Sequence, residues 1–327
     1  MVKNLRRLIE QVAKEKNLPE WLVERALRNS IALAVKKSQK IREDVEVQLE
    51  DDHIKAYLVR RSKDQTIKLP IDIEPADMDR IAAYAAKEEF LKELERAEEE
   101  RSYLEFVELE GEIVVGIVRK VQEDGDLLVD LGKVMGVLPK KEQIPKEHYK
   151  VGDRLRALLL EVRKRRGKYE IILSRTHPRF LKKLLEAEVP EIKEGYIKVE
   201  AIAREPGERA KVLVSSTDSR MDPVGVVVGV RGSKIAPITE ELSGERIDVI
   251  KKSDSVEELI KRSLAPAPVS AVRLFPEEKR AEVAVPKEKL SLAIGKGGVN
   301  VRLASKITGW RIDVYSEEDF EKLTKMT

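Results

Sequence analysis

The chain has 327 residues, 38% of them charged and only 4% aromatic, with 42% apolar residues to build cores; at that length roughly two or three domains are expected rather than one core. It contains no cysteine, which excludes disulfides and thiolate metal sites and fits a reducing, cytoplasmic compartment. No apolar run approaches the ~20 residues of a membrane helix, and the first residues lack a signal-peptide stretch. Net charge is only +3, but the balance shifts along the chain: 21 basic against 25 acidic side chains over residues 1–110, 16 against 10 over 111–180, and 26 against 25 thereafter. A polyanion is therefore favoured by net charge in the middle of the chain, and beyond it only by placement.

In the first hundred residues, apolar positions 5, 8, 9 and 12 predict a helix, and Asn17 to Pro19 restarts a second one through WLVERALRNSIALAVKK. VEVQLE and HIKAYLVRR predict a hairpin about Asp51-Asp52, TIKLPIDI continues it, and residues 77–108 predict one long helix without Gly or Pro. The acidic balance argues against RNA here. A protein contact is the expected use, and a solubilising cap is the alternative.

Residues 111–175 predict five strands, GEIVVGIVRKVQ, DLLVDLG, MGVLP, DRLRALLLEVRK and YEIILSR, with turns at Asp124-Gly125 and Arg166-Gly167. The pattern resembles the ribosomal-protein S-one type of OB-fold barrel, which binds single strands by charge and aromatic platforms. The positions that would carry stacking aromatics hold Leu127, Leu128 and Val137 instead. Loose phosphate contact is expected from Arg119, Lys120, Lys140 and Lys141, and from the run Arg163, Lys164, Arg165, Arg166.

The last 150 or so residues contain a repeat. GVRGSKIAPITEELSGERIDVI (229–250) is matched by GKGGVNVRLASKITGWRIDV (295–314): Gly229 and Gly232 map onto Gly295 and Gly298 at an offset of 66, and the Arg-Ile-Asp-Val blocks at 246 and 311 at an offset of 65. Upstream, YIKVEAIAREPGERAKVLVSS and VSAVRLFPEEKRAEVAVP each predict a hairpin, preceded by the helices PRFLKKLLEAE and SVEELIKRSLAP. A short helix then runs into the glycines, giving hairpin, helix, Gly-x-x-Gly, helix, strand in both units. Glycine permits the sharp turn and bares the backbone, so that a sugar-phosphate chain can lie against N–H groups at the start of the next helix. Each loop also carries a cation, Arg231 after Val230 and Lys296 before Gly297. The layout resembles the KH module in its bacterial (type II) order, whose Gly-x-x-Gly loop clamps about four nucleotides of single-stranded nucleic acid. The short joints THPRF and LAPAPVS, neither a Gly/Ser spacer, are expected to hold the modules in fixed relation.

An acidic head, a barrel and two such units, in that order, resemble the NusA family of bacterial transcription elongation and termination factors over essentially the whole chain. The resemblance is most specific at AREPGERAKV (203–212), DPVGVVVGVRGSKI (222–235), GERIDVI (244–250) and LAIGKGGVNVRLASKITGWRIDV (292–314). It implies a multidomain α+β protein with an α+β head at 1–105 that binds core RNA polymerase, an OB-fold barrel at 106–177, and KH domains at 178–253 and 254–327 that hold nascent single-stranded RNA. It further implies a monomer, without cofactor or metal, that modulates pausing, intrinsic termination and antitermination, in some settings with other antitermination factors. Carried over by position, the RNA contacts are Gly229, Val230, Arg231, Gly232, Ser233 and Lys234 in the first unit. In the second they are Gly295, Lys296, Gly297, Gly298, Asn300 and Arg302, with Arg302 equally able to pair with Asp313. Two departures stand out: the head is shorter than expected between its second hairpin strand and the long helix, and the acidic C-terminal repeats of some members do not follow, so unrestrained RNA binding is expected.

Two other classes stay open. KH and S-one modules also occur on polynucleotide phosphorylases, although no large catalytic core fits in residues 1–110, and a free-standing RNA chaperone needs no polymerase. His53, His148 and His177 are scattered, and neither an H-E-x-x-H nor a G-x-x-x-x-G-K-[ST] motif is present.

Overall fold

The computed structural model describes residues 5–50, 53–61, 66–72, 90–165 and 168–326. They form two compact units, Met1–Glu108 and Leu109–Thr327. No described helix is long and apolar enough to cross a membrane.

In the first unit, α1 (Leu5–Lys16) ends at Asn17, whose φ of 52° is the left-handed conformation asparagine tolerates, and α2 (Glu20–Ser38) restarts directly after Pro19. Leu27, Ile31, Ala34 and Val35 of α2 bury one stripe against Val47 and Ala56 of an antiparallel sheet, β1 (Asp44–Glu50), β2 (His53–Arg61) and β3 (Thr66–Ile71). The C-terminal part of the predicted long helix is α3 (Phe90–Val107), which packs Leu94 against Ala13, Leu18 and Val23. Its predicted beginning, up to residue 89, lies outside the described residues, as does Arg166 of the basic run.

The second unit opens with the expected barrel: β4 (Ile113–Val121), β5 (Leu127–Asp130), β6 (Met135–Leu138), β7 (Arg154–Arg165) and β8 (Lys168–Ser174). It closes in the order β4-β5-β6-β8-β7, with a parallel β6–β8 pair. Alternate positions point inward, so Val118, Leu127, Val129, Leu138, Leu159, Ile171 and Leu173 fill the interior. Leu127, expected on the outer platform, is thus a core residue at 2% exposure, while Leu128 pairs with Val137 on the half-buried outer side.

Two αββααβ modules follow. The first comprises α4 (Pro178–Glu188), the single turn α5 (Pro190–Lys193), β9 (Ile197–Glu205), β10 (Arg209–Ser216), α6 (Pro223–Val228), α7 (Ile235–Glu241) and β11 (Arg246–Lys251). The second comprises α8 (Val256–Ser263), β12 (Ala271–Phe275), β13 (Arg280–Val285), α9 (Leu290–Ile294), α10 (Val299–Thr308) and β14 (Arg311–Ser316). In each sheet the middle strand runs antiparallel to its hairpin partner and parallel to the last strand, with Arg209 opposite Arg246 and Arg280 opposite Arg311. Residues 317–326 of the tail form α11 (Glu317–Met326), where Ser316 Oγ accepts the Asp319 N–H at 3.2 Å and the helix packs on β13 and β14.

The domains on either side of each joint share buried contacts. Ile144 and Leu158 of the barrel belong to the core of the first module with Phe180, Leu184 and Val212. Arg175, 5% exposed, bonds both Glu147 oxygens at 2.6 and 2.8 Å and, across the joint, Glu241 at 2.7 Å. Burial raises the pKa of the Glu147 carboxyl, but the Arg175 guanidinium outweighs it and holds the group below its usual range. Between the modules, Leu303 and Ile307 of α10 sit on Ala203, Leu213 and Ile250 of the first sheet, and Lys211 Nζ reaches Ala265 O at 3.3 Å. The fixed relation expected from the short joints is met by shared cores, not by linker stiffness.

Candidate nucleic-acid interface

The two Gly-x-x-Gly loops have the same backbone. Gly229 (φ 76°, ψ 170°) and Gly295 (φ 78°, ψ 165°) break the short helices α6 and α9. Arg231 (φ 53°, ψ 30°) and Gly297 (φ 57°, ψ 22°) occupy the same left-handed position two residues later. Each glycine that opens a loop is required by close approach. A Cβ on Gly229 would stand 2.9 Å from Lys234 N, and one on Gly295 2.8 Å from Asn300 N, both below any normal contact. The closing glycines, Gly232 and Gly298, answer only to φ values of 82° and 73°. The concentration of glycine at this helix start thus has two separate causes.

Between the glycines the side chains face solvent. Val230 is 83% exposed, and Arg231, Lys296 and Gly297 are exposed. Neither Arg231 nor Lys296 has an ion-pair partner among the described residues, so these two charges remain available to an anion. Ser233 is exposed beside the first loop.

Three expected contacts differ in placement. Asn300 is fully buried: its Nδ2 donates to Ala293 O at 2.9 Å and Leu264 O at 3.0 Å, so it ties the loop to the module behind it instead of facing solvent beside it. Lys234 is half-buried and paired with both Glu191 oxygens at 2.8 and 2.9 Å, and the Lys234 ammonium holds the Glu191 carboxyl below its usual range. Arg302 bonds Gly297 O and Glu205 of the first module, each at 3.2 Å, and not Asp313, which lies instead near Arg280 and Arg311. The helical stagger aims Arg302 across the module boundary.

The barrel cations divide into two groups, because β4 and β7 run antiparallel with Ile117 opposite Arg154 and Ile113 opposite Leu158. Arg119, Lys120 and Lys140 gather at one end, and Arg163 and Arg165 lie at the other, on the β7–β8 hairpin. Arg119 is neutralised by Asp130 at 2.7 Å, and its hydrogen bonds hold that carboxyl below the usual range. Arg163 is neutralised by Glu170 at 3.1 Å and Glu161 at 3.2 Å. Sequence reasoning missed Arg154 and Arg156, which line a cleft of about 780 Å³ between barrel and first module together with Lys146, His148 and Tyr149. The alternation of DRLRALLL aims both arginines outward, a signal present in the sequence. Among the described residues no cluster of three or more His, Asp or Glu side chains could hold a metal ion.

A closed five-stranded barrel followed by two modules with matched Gly-x-x-Gly loops defines the S1–KH class of domain architecture. Family models agree: an S1 RNA binding domain matches residues 109–175, a NusA-like first KH domain residues 175–252, and a NusA-like second KH domain residues 256–322. Among curated proteins, the transcription termination/antitermination protein NusA of Halalkalibacterium halodurans is 43% identical over 77% of this chain and 66% of its own. That of Borreliella burgdorferi is 35% identical over 99% and 72%, and that of Bacillus subtilis 42% identical over 77% and 68%. The chain belongs to the NusA family, and spans about two thirds of the length of these relatives.

Proposed function

We propose that the chain is an RNA-binding transcription factor that contacts core RNA polymerase through residues 1–105 and nascent single-stranded RNA through the barrel and both KH modules, and so modulates pausing, intrinsic termination and antitermination. The observation that carries the reading is the pair of superimposable loops, each presenting one unpaired cation beside bare backbone. Each loop grips about four nucleotides, and affinity falls steeply with salt because the grip is largely on phosphate. Gly229, Val230, Arg231, Gly232 and Ser233, with Gly295 to Gly298, form the clamp itself; Arg119, Lys120, Lys140, Arg163 and Arg165 add weaker phosphate contact. The protein acts in the cytoplasm as a monomer, and other antitermination factors join it on the polymerase.

Aspartate at both central loop positions, Val230→Asp with Arg231→Asp and Lys296→Asp with Gly297→Asp, is the direct test. Aspartate accepts the left-handed backbone there and sets carboxylate against phosphate. RNA binding at moderate salt is expected to drop at least about tenfold in each case; unchanged binding in both refutes the clamp. Pull-down of core polymerase with and without residues 1–105 tests the head, and equal recovery removes its assignment. Incubation with labelled RNA, phosphate and Mg²⁺ separates this reading from a phosphorolytic enzyme, since shortening of the RNA overturns it.

A further inference from the structure

The residue five positions after the opening glycine is Lys234 in the first module and Asn300 in the second, and in both its backbone lies directly under that glycine. Both side chains turn away from the loop toward the helical segment that precedes the module's first strand. Lys234 Nζ reaches Glu191 in α5 at 2.8 and 2.9 Å, and Asn300 Nδ2 reaches Leu264 O at the end of α8 at 3.0 Å. Asn300 holds a second carbonyl, Ala293 O in α9, so one amide ties together the helix before the loop, the helix after it and the opening helix.

Asn300 Oδ1 is the one buried side-chain polar atom without a protein hydrogen-bond partner among the described residues. A leucine would fill the site but remove both tethers, taking the amide donor away from Ala293 O and Leu264 O.

We infer that Lys234 and Asn300 are positioning residues for the two RNA clamps: they fix the angle at which each Gly-x-x-Gly loop leaves its helix, and they do not themselves touch RNA. The inference rests on the clamp reading and goes beyond it, because the two anchors differ in kind. The first is a half-exposed ion pair, weakened by salt and by protonation of Glu191. The second is a buried neutral amide, indifferent to both. The two clamps therefore tighten and loosen under different conditions although their backbones match.

A charge swap separates anchoring from direct contact. The full chain is compared with Lys234→Glu, Glu191→Lys and the double variant, by equilibrium binding of an unstructured oligoribonucleotide of about ten nucleotides and by hydrogen exchange of residues 229–235 without RNA. Lys234→Glu is expected to speed loop exchange and weaken binding about tenfold, and the double variant to restore both to within about twofold, since the preorganised geometry returns while the charge stays reversed. A double variant that binds as poorly as Lys234→Glu makes Lys234 a direct phosphate ligand and overturns the inference. Asn300→Leu is expected to speed exchange over 295–301 more than over the rest of the second module, since the loss of the two tethers is local to the loop; unchanged exchange there overturns the second anchor. If the unaltered chain binds no RNA, the clamp reading fails, while exchange measured without RNA still decides the anchoring.

Discussion

The two KH modules share a backbone and differ in what fills it. Where β9 meets the turn before β11, the first module buries Arg204 against Glu245, at 2.7 and 2.9 Å, with side chains 1% and 0% exposed and the Gly207 N–H bonded to the same carboxylate at 2.8 Å. The strand register places Leu274 and Trp310 at the corresponding positions of the second module, both packed on its apolar core. On the opposite faces of the sheets, Lys211 stands opposite Asp248 in the first module and Glu282 opposite Asp313 in the second, the latter two acids neutralised by Arg280, with Arg273 on Glu282. One fold thus tolerates an ionic or an apolar solution at the Arg204–Glu245 position, while both modules keep charge pairs on the opposite face of the sheet.

The largest expected effect breaks that contrast. Arg204→Leu strands the Glu245 carboxylate in the core and is expected to cost about 3–5 kcal/mol. Adding Glu245→Trp, which copies the second module, is expected to recover most of it, leaving about 1–3 kcal/mol for the orphaned Gly207 N–H. Denaturation followed by hydrogen exchange in residues 197–251 reads both. A silent Arg204→Leu removes the ion pair from any structural role.

How much of this the sequence carried depends on the kind of signal. The five barrel strands, both hairpins and the duplicated loops were legible because periodicity, turn residues and a repeated Gly spacing are local. The neutralisation of Arg119 and Arg163, the inward turn of Lys234 and Asn300, and the role of Arg175 were not, because each depends on which residue a strand or helix meets from far along the chain. With 38% of residues charged, nearly every cation has a plausible acid nearby in sequence, so local proximity does not say which pairs form. The inward position of Asn300 was hidden for a simpler reason: it follows the loop closely in sequence, but the helix turns it toward Leu264.

An intermediate effect sharpens the claim that the backbones are equivalent. Gly295→Ala and Gly229→Ala each drive a Cβ into the backbone of the residue five positions on, which is expected to cost about 1–3 kcal/mol. A further ~1–3 kcal/mol of strain is added because their φ of 78° and 76° with an extended ψ is a region only glycine occupies freely. Gly298→Ala, with nothing within 4 Å, and Gly232→Ala, whose nearest neighbour is Ile235 at 3.9 Å, are expected to cost only the strain of a positive φ, about 1 kcal/mol. Thermal unfolding should rank the four in two pairs that cut across the modules. A ranking by module instead would mean that the matched dihedral angles hide different packing.

The smallest effect concerns acid. The opening helix α4 is capped by His177, whose Nδ1 accepts the Arg179 N–H at 3.1 Å, whereas α8 is capped by the Ser255 hydroxyl, which accepts the Glu258 N–H at 3.3 Å. Only an unprotonated Nδ1 can accept. Burial first, and then the nearby Arg179 charge, lower the imidazole pKa from 6.5. The folded-state value being the depressed one, this stabilisation is present above the unfolded pKa and is lost as pH falls through the folded one. As pH falls below 6.5 the first module is therefore expected to lose up to about 1 kcal/mol, the worth of one helix cap, with no matching loss at Ser255 in the second. Hydrogen exchange of residues 178–188 against 256–263 across that range measures the difference, and His177→Ser, which keeps an acceptor that does not titrate, should flatten it. An acid response that survives His177→Ser would have to come from other titrating groups of the first module, and the asymmetry would not lie in the cap.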